Sequence, residues 1–339
     1  MLTKMLDMAQ YELLNYPHKG FGHKMSYANA SLAKGMMDYY KKHLNSPESK
    51  EILDVLKRYY NRWTVGGRKI TTLNEVHAGC ALIDLHKITQ EEKYKRGADR
   101  IANFVKTYGV DAQGALTYDS MENKNYVRVE TIGEVCPFLA KYANAYGDMD
   151  AMNIAITQIS NFLEYGMDEK TVLPYHGYNN ENGLKMGVIG WGQAVGKLML
   201  GMSEVLFYLE SDNPNYELVR MAYRRIVDKV EAYQMEGGLY NWLLNAKEGP
   251  ADTGASAMIL YSIAQSLDDK ILIGIHKSRM IRGVEALKAC VQPDGSLPGA
   301  SAEAVSINNY PILFDVYPWA LGLTISLLNL LEEEVGQME

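Results

Sequence analysis

The sequence predicts an all-α fold, an (α/α)6 toroid of six helical hairpins, and three observations lead to it. Apolar residues recur at three- and four-residue steps in paired segments along the chain. Short glycine-marked loops separate the pairs at a near-regular interval. Strand-type alternation between the pairs is almost absent, which argues against a doubly wound sheet.

Taken in order, residues 25–63 supply the first helical pair. AGCALIDLHKIT (78–89) followed by EKYKRGADRIANFVKTYG (92–109) is the second, and CPFLAKYANAYG (136–147) followed by DAMNIAITQISNFLEYG (150–166) is the third. GKLMLGMSEVLFYLES (196–211) with YELVRMAYRRIVDKVEAYQ (216–234) makes a fourth, and ASAMILYSIAQSL (255–267) with SRMIRGVEALKAC (278–290) a fifth. Residues 318–334 form a closing helix. The loops carry the period: GALTYD (114–119), VLPYHGY (172–178), GGLYNW (237–242) and DGSLPG (294–299), whose leucines recur every 57 to 66 residues. Hairpins with apolar inner faces close most simply into a ring of inner helices covered by outer ones. An open solenoid is the alternative, and the dissimilarity of the loops argues against its regular superhelix. No Pro/Gly/Ser-rich linker divides the chain, so residues 1–339 read as a single domain.

Composition excludes several functions. The chain has 339 residues, 47% hydrophobic and 22% charged, enough apolar material for a large core. Its formal net charge is −7 and it has no block of consecutive Lys or Arg, so neither nucleic acid nor an anionic membrane is an expected partner. Asp7, Gln10 and Glu12 interrupt the N-terminal stretch where a signal peptide needs unbroken apolar residues, and no run is long enough to span a bilayer. The expected location is the cytoplasm. Cys80, Cys136 and Cys290 are far apart, without a CxxC pair or a His at ligand spacing, and read as buried free thiols; no metal or cofactor is expected. GxSxG, HExxH, phosphate-loop and aspartate-rich motifs are all missing.

In a toroid the loops between hairpins meet at one end of the axis and wall a pocket there. These loops concentrate aromatic, carboxylate and imidazole groups: Tyr118 and Asp119; Tyr126, Arg128 and Glu130; Tyr175, His176 and Tyr178. Trp191 and Gln193, Tyr240 and Trp242, and Asp315, Tyr317 and Trp319 continue the pattern. Aromatic faces suit the C–H faces of sugars, and carboxylates and amides suit hydroxyls, so an oligosaccharide is the expected substrate. Singly, each aromatic is more simply a half-buried packing residue at a helix end. His77 reads as a satisfied core histidine, and Lys197 and Asp252 lie near helix starts where capping or solvation explains them.

The residues resemble a known group. TLNEVHAGCALIDLHKITQEEKYKRGADRIANFV (72–105), YVRVETIGEVCPFLAKYA (126–143), LPYHGYN (173–179), GWGQAVGKLMLGMSEVL (190–206), GGLYNWL (237–243) and DTGASAMILYSIA (252–264) are similar, in order, to segments of the unsaturated rhamnogalacturonyl and unsaturated glucuronyl hydrolases, glycoside hydrolase families 105 and 88. The resemblance covers roughly residues 70–330. It implies an (α/α)6 barrel and a metal-free hydration of the C4=C5 double bond of a terminal unsaturated uronate, in which one carboxyl group protonates C4 and activates the water that attacks C5. The hemiketal opens and frees the next sugar. Glu130 stands where the family's acid is an aspartate, Asn74 where it has a second aspartate, and His176 and Trp191 match its loop histidine and following tryptophan. Gln193 replaces an arginine and Lys197 a tryptophan. The resemblance casts Glu130, Asn74 and His176 as catalytic and Trp191, Gln193 and Lys197 as substrate-binding, and the loop composition adds Tyr118, Arg128, Trp242 and Trp319 to the substrate-binding residues. The other readings of these residues are a two-carboxylate glycosidase pairing Glu130 with Asp119, Glu75 or Asp252, an epimerase using His176 and His77, and a sugar-binding relative without activity.

Overall fold

The computed structural model describes residues 1–15, 25–65, 69–118, 125–267, 271–272 and 276–335, and there the chain is an (α/α)6 toroid. The inner ring is α2 (Tyr27–Lys42), α4 (Gly79–Thr89), α6 (Glu130–Tyr146), α8 (Gly192–Tyr208), α10 (Thr253–Gln265) and α12 (Pro318–Val335). Each packs on the next, and α12 packs back on α2, so the ring closes; a 3-10 turn, Leu73–Ala78, fills the space between α2 and α6 beside α4. The outer ring is α1 (Leu2–Asn15), α3 (Pro47–Val65), α5 (Glu92–Lys106), α7 (Met149–Tyr165), α9 (Tyr216–Glu231) and α11 (Lys277–Cys290). The expected pairs match these helices. The 3-10 turn and the short strands were not assigned from the sequence, and the one helix of the two rings not assigned is α1, the outer partner of α12 at the opposite end of the chain. Adjacent carboxylates and polar residues mask its stripe of Met5, Leu6, Ala9 and Leu13, which is buried.

The two rings differ because their surroundings differ. Outer helices bury one face, as in α5, where Tyr94, Gly97, Ala98, Ile101, Ala102 and Val105 turn inward and the charged residues outward. Inner helices are covered on all sides; in α8 every residue from Gly192 to Leu206 is buried. Close approach within the inner ring depends on glycine. A Cβ on Gly201 of α8 would lie 2.2 Å from the Ile132 carbonyl of α6, and one on Gly322 of α12 would lie 2.1 Å from the Ser31 carbonyl of α2. Gly201→Val therefore forces α6 and α8 apart, and the expected loss is about 1–3 kcal/mol or more. A denaturant midpoint equal to that of the unchanged protein would show that the ring accommodates the side chain.

Inner helices alternate with outer ones, so all six run parallel and their N-termini share one mouth of the barrel. A small antiparallel sheet covers that mouth: β1 (Tyr126–Arg128), β2 (Gly177–Asn179) and β3 (Lys185–Met186), joined there by β4 (Ala300–Ser301) paired with β5 (Phe314–Asp315). No described helix is long and apolar enough to cross a membrane. Cys136 is buried, as expected, whereas Cys80 and Cys290 are partly exposed; all three are unpaired.

Candidate active site

Backbone pairing across 49 positions builds the site. Arg128 of β1 stands opposite Gly177 of β2, and the Val129 N–H donates to the His176 carbonyl at 2.9 Å. Glu130 opens α6 one residue later, which sets its side chain against His176: Oε1 lies 2.8 Å from Nε2, both groups buried. The other face of the imidazole is fixed by Nδ1, 3.1 Å from the Ile307 carbonyl and 2.8 Å from the Tyr310 hydroxyl. Tyr310 donates to the same carbonyl at 2.8 Å, so the hydroxyl accepts from Nδ1, and the carbonyl only accepts. Nδ1 therefore carries a hydrogen, and one exchangeable proton lies between Nε2 and Glu130. The Glu130 Oε2 is buried without a partner. Burial raises the Glu130 carboxyl, but the His176, Lys197 and Arg128 charges outweigh it and bring it down to about 2.

A second carboxylate lies one helical turn on. Glu134 accepts from the Lys197 ammonium at 2.8 Å through Oε1 and from the Tyr118 hydroxyl at 2.9 Å through Oε2. Lys197 also lies 3.8 Å from Glu303 and 4.9 Å from the centre of the Tyr27 ring. Arg128 stacks on Tyr118 with its guanidinium carbon 5.0 Å from the ring centre, and its buried Nε has no partner. Aromatic rings complete the wall: Trp191 packs on His176 and Tyr310 at 4.9 and 5.2 Å, and half-buried Trp242 meets Tyr310 edge-on at 6.3 Å.

Glu130, His176, Arg128, Tyr118, Lys197, Trp191 and Trp242 thus belong to one connected cluster at this mouth. Asn74 sits in the 3-10 turn, its Oδ1 accepting from the Tyr27 N–H at 3.2 Å, and so holds the start of α2. Gln193 is committed to the neighbouring backbone, donating to the Ser301 and Ala302 carbonyls at 2.8 and 3.0 Å. Trp319 is fully buried and stacked 4.6 Å from Tyr317, so its ring is packing for the wall. Two proposed carboxylate partners of Glu130 are also engaged: Glu75 accepts from the Thr71 and Thr72 N–H groups, while Asp252 caps α10 and accepts from Ser301. Asp119 lies outside the described residues. His77 does not join His176; it lines a cavity towards the other end of the barrel.

Glu134, Glu303 and Tyr310 were missed from the sequence. Glu134 had a signal, four residues after Glu130 and so on the same helical face. Glu303 and Tyr310 lie in the loop between DGSLPG (294–299) and Asp315, which was expected at the pocket, but nothing in the sequence singled out these two side chains within it. Burial and the neighbouring Glu134 and Glu130, against Lys197, push the Glu303 carboxyl up to about 7. Folded Glu303 then holds its proton more tightly than the unfolded chain, whose carboxylates titrate near about 4.3. Stability should fall as pH rises from about 5 to about 7, and Glu303→Gln should flatten that slope. Parallel melting-temperature profiles for the two proteins would show that Glu303 is not the group responsible.

The family model for Glycosyl Hydrolase Family 88 matches residues 4–321. The chain belongs to that family. It is therefore a glycoside hydrolase by descent. Among curated relatives of this family 88 chain, the unsaturated rhamnogalacturonyl hydrolase YesR of Bacillus subtilis (strain 168) is 22% identical over 291 residues, 83% of each chain. A solved structure described as a possible member of the GH105 family from Klebsiella pneumoniae subsp. pneumoniae MGH 78578 superposes with a TM-score of 0.88 at 15% identity, covering 98% of this chain and 93% of the other. The unsaturated glucuronyl hydrolase of Bacillus sp. GL1, described as responsible for the degradation of glycosaminoglycan, superposes with a TM-score of 0.73 at 15% identity over 99% and 97%. These two likenesses concern the fold.

Proposed function

We propose that the protein removes a terminal unsaturated uronic acid from an oligosaccharide by hydrating its C4=C5 double bond, with Glu130 as acid and base. The observation that carries this reading is the Glu130–His176 pair at the N-terminal mouth, with one exchangeable proton and a buried Oε2 that has no hydrogen-bond partner among the described residues. Glu130 rests as the carboxylate and takes up the proton it shares with Nε2 of His176 only as it delivers that proton to C4 of the sugar. The resulting carboxylate takes a proton from the water that adds to C5, and the hemiketal opens to release the next sugar. His176, held by Ile307 and Tyr310, positions the pair and shares its proton.

Arg128 supplies the cation for the uronate carboxylate, on the strength of its unpartnered Nε, and Lys197 adds positive charge beside it. Trp191 and Trp242 wall the sugar; Asn74 holds α2 against the site, and Gln193 and Trp319 frame it. The chain acts as one domain in this reading. Cytoplasmic location is part of the proposal, and three unpaired cysteines suit a reducing compartment. Oligosaccharides cut by a polysaccharide lyase absorb in the ultraviolet through their unsaturated end. Incubation with the protein should abolish that absorbance and liberate the terminal sugar; unchanged absorbance across rhamnogalacturonan- and glycosaminoglycan-derived oligosaccharides would overturn the assignment.

A further inference from the structure

The Arg128 side chain makes no hydrogen bond or ion pair to a described residue, although the residue is only 8% exposed and its Nε is buried. A guanidinium so far from water is ordinarily paired with a carboxylate. The group set against this one is the Tyr118 ring, whose centre lies 5.0 Å from Cζ. Such a stack holds a planar cation by its face and leaves the N–H donors at its edge uncommitted. Where the ring lies therefore decides where those donors point.

The ring is itself fixed from behind. Its hydroxyl donates to Oε2 of Glu134 at 2.9 Å, and Glu134, fully buried, accepts from Lys197 at 2.8 Å through Oε1. Burial and the Glu134 and Glu130 charges keep the Tyr118 phenol protonated, so it is the donor. Helix packing brings the lysine there: a Cβ on Gly133 would stand 2.7 Å from Cβ of Lys197, so α6 and α8 meet at close range beside Glu134. A charged acceptor draws on the phenol O–H and leaves the ring richer in electrons, which strengthens its hold on a cation. A direct Glu134–Arg128 ion pair would also hold the arginine, but it would occupy the donors that a uronate carboxylate needs. Acting through the ring spares them.

We propose that Glu134 is a positioning residue, resting on Arg128 as the cation for the uronate carboxylate: through the Tyr118 hydroxyl it sets the stack that aims Arg128 at the substrate. The test is a set of double-mutant cycles on the full chain, reading KM and kcat on a lyase-generated unsaturated disaccharide and, by calorimetry, its dissociation constant. Arg128→Met should raise KM and the dissociation constant by about 10- to 100-fold, the worth of hydrogen bonds to a charged group. Glu134→Gln should raise both by about tenfold and Tyr118→Phe by several-fold, with kcat within about threefold of the unchanged protein. Tyr118→Phe keeps the Glu134–Lys197 pair, so it carries the test if Glu134→Gln fails to fold. In an Arg128→Met background neither change should weaken binding by more than about a further twofold, because no cation is left to aim. A merely structural Glu134 would lower the melting temperature and leave KM unmoved. The proposal is overturned if Tyr118→Phe changes kcat alone or changes nothing, if its effect is undiminished in the Arg128→Met background, or if Arg128→Met leaves binding intact. Failure of the disaccharide to bind overturns it together with the hydrolase reading. Binding with non-additive cycles but no turnover sinks the hydrolase reading alone, and the positioning role stands.

Discussion

Glu130→Gln should keep the fold and sugar affinity while turnover falls by about two to four orders of magnitude, the usual worth of general acid–base catalysis. The amide retains the length of the side chain and can still bond to Nε2 of His176, 2.8 Å away, but it can neither carry nor receive the proton the reaction moves. Initial rates on a lyase-generated oligosaccharide, read beside a binding isotherm, separate the two effects. Glu130→Asp is the finer variant, because it restores the shorter carboxylate that the family resemblance places here. The site has been built around the longer side chain, with His176 pinned by Ile307 and Tyr310, so shortening Glu130 opens the pair and should also lower the rate. A purely structural Glu130 would instead lower the melting temperature in both variants and leave the rate per folded molecule unchanged. Near-normal turnover in Glu130→Gln would remove it from the mechanism.

The second large effect is on stability. Lys197 is almost fully buried, bound to Glu134 and lying close to Glu303, and burial works against its charge while Glu134, Glu130 and Glu303 together keep it protonated. Lys197→Met leaves those carboxylates without their central cation, and breaking a buried pair from one side costs about 3–5 kcal/mol. Part of that is recovered when Glu134, already raised by burial, takes up a proton. The loss should accordingly be larger at pH 8 than at pH 5. Lys197→Met with Glu134→Leu removes both charges and should regain most of the stability, because well-packed apolar residues replace buried pairs at little cost. Chemical denaturation of the two variants at both pH values is the measurement. A single variant as stable as the unchanged protein at pH 8 would show that Lys197 contributes nothing net.

The helices were legible because their signal is local. Apolar steps of three and four residues in segments such as 92–109 and 216–234 record which face of each helix is covered, whatever lies against it. Five helical pairs and a closing helix, divided by the recurring loops, brought the count to about six, and six hairpins have few ways to bury their inner faces other than a ring. Glu130 and His176 were legible through resemblance, as short segments in a shared order. Their contact was not, since it depends on β1 meeting β2 across the mouth.

By itself, then, the sequence determined the helical class, five of the hairpins with the closing helix, and loops that the structure brings to one mouth, with Glu130 among their residues. Tertiary structure decided the rest: that α1 closes the ring against α12, that Gln193, Glu75 and Asp252 are held by neighbouring groups, and that Glu134, Glu303 and Tyr310 belong to the site. It also decided that His77 faces the opposite mouth. The physical reason is range. Helix formation depends on neighbours three and four residues apart, whereas a side chain's protonation and partners depend on which distant segments the closed ring brings within a few ångströms of it.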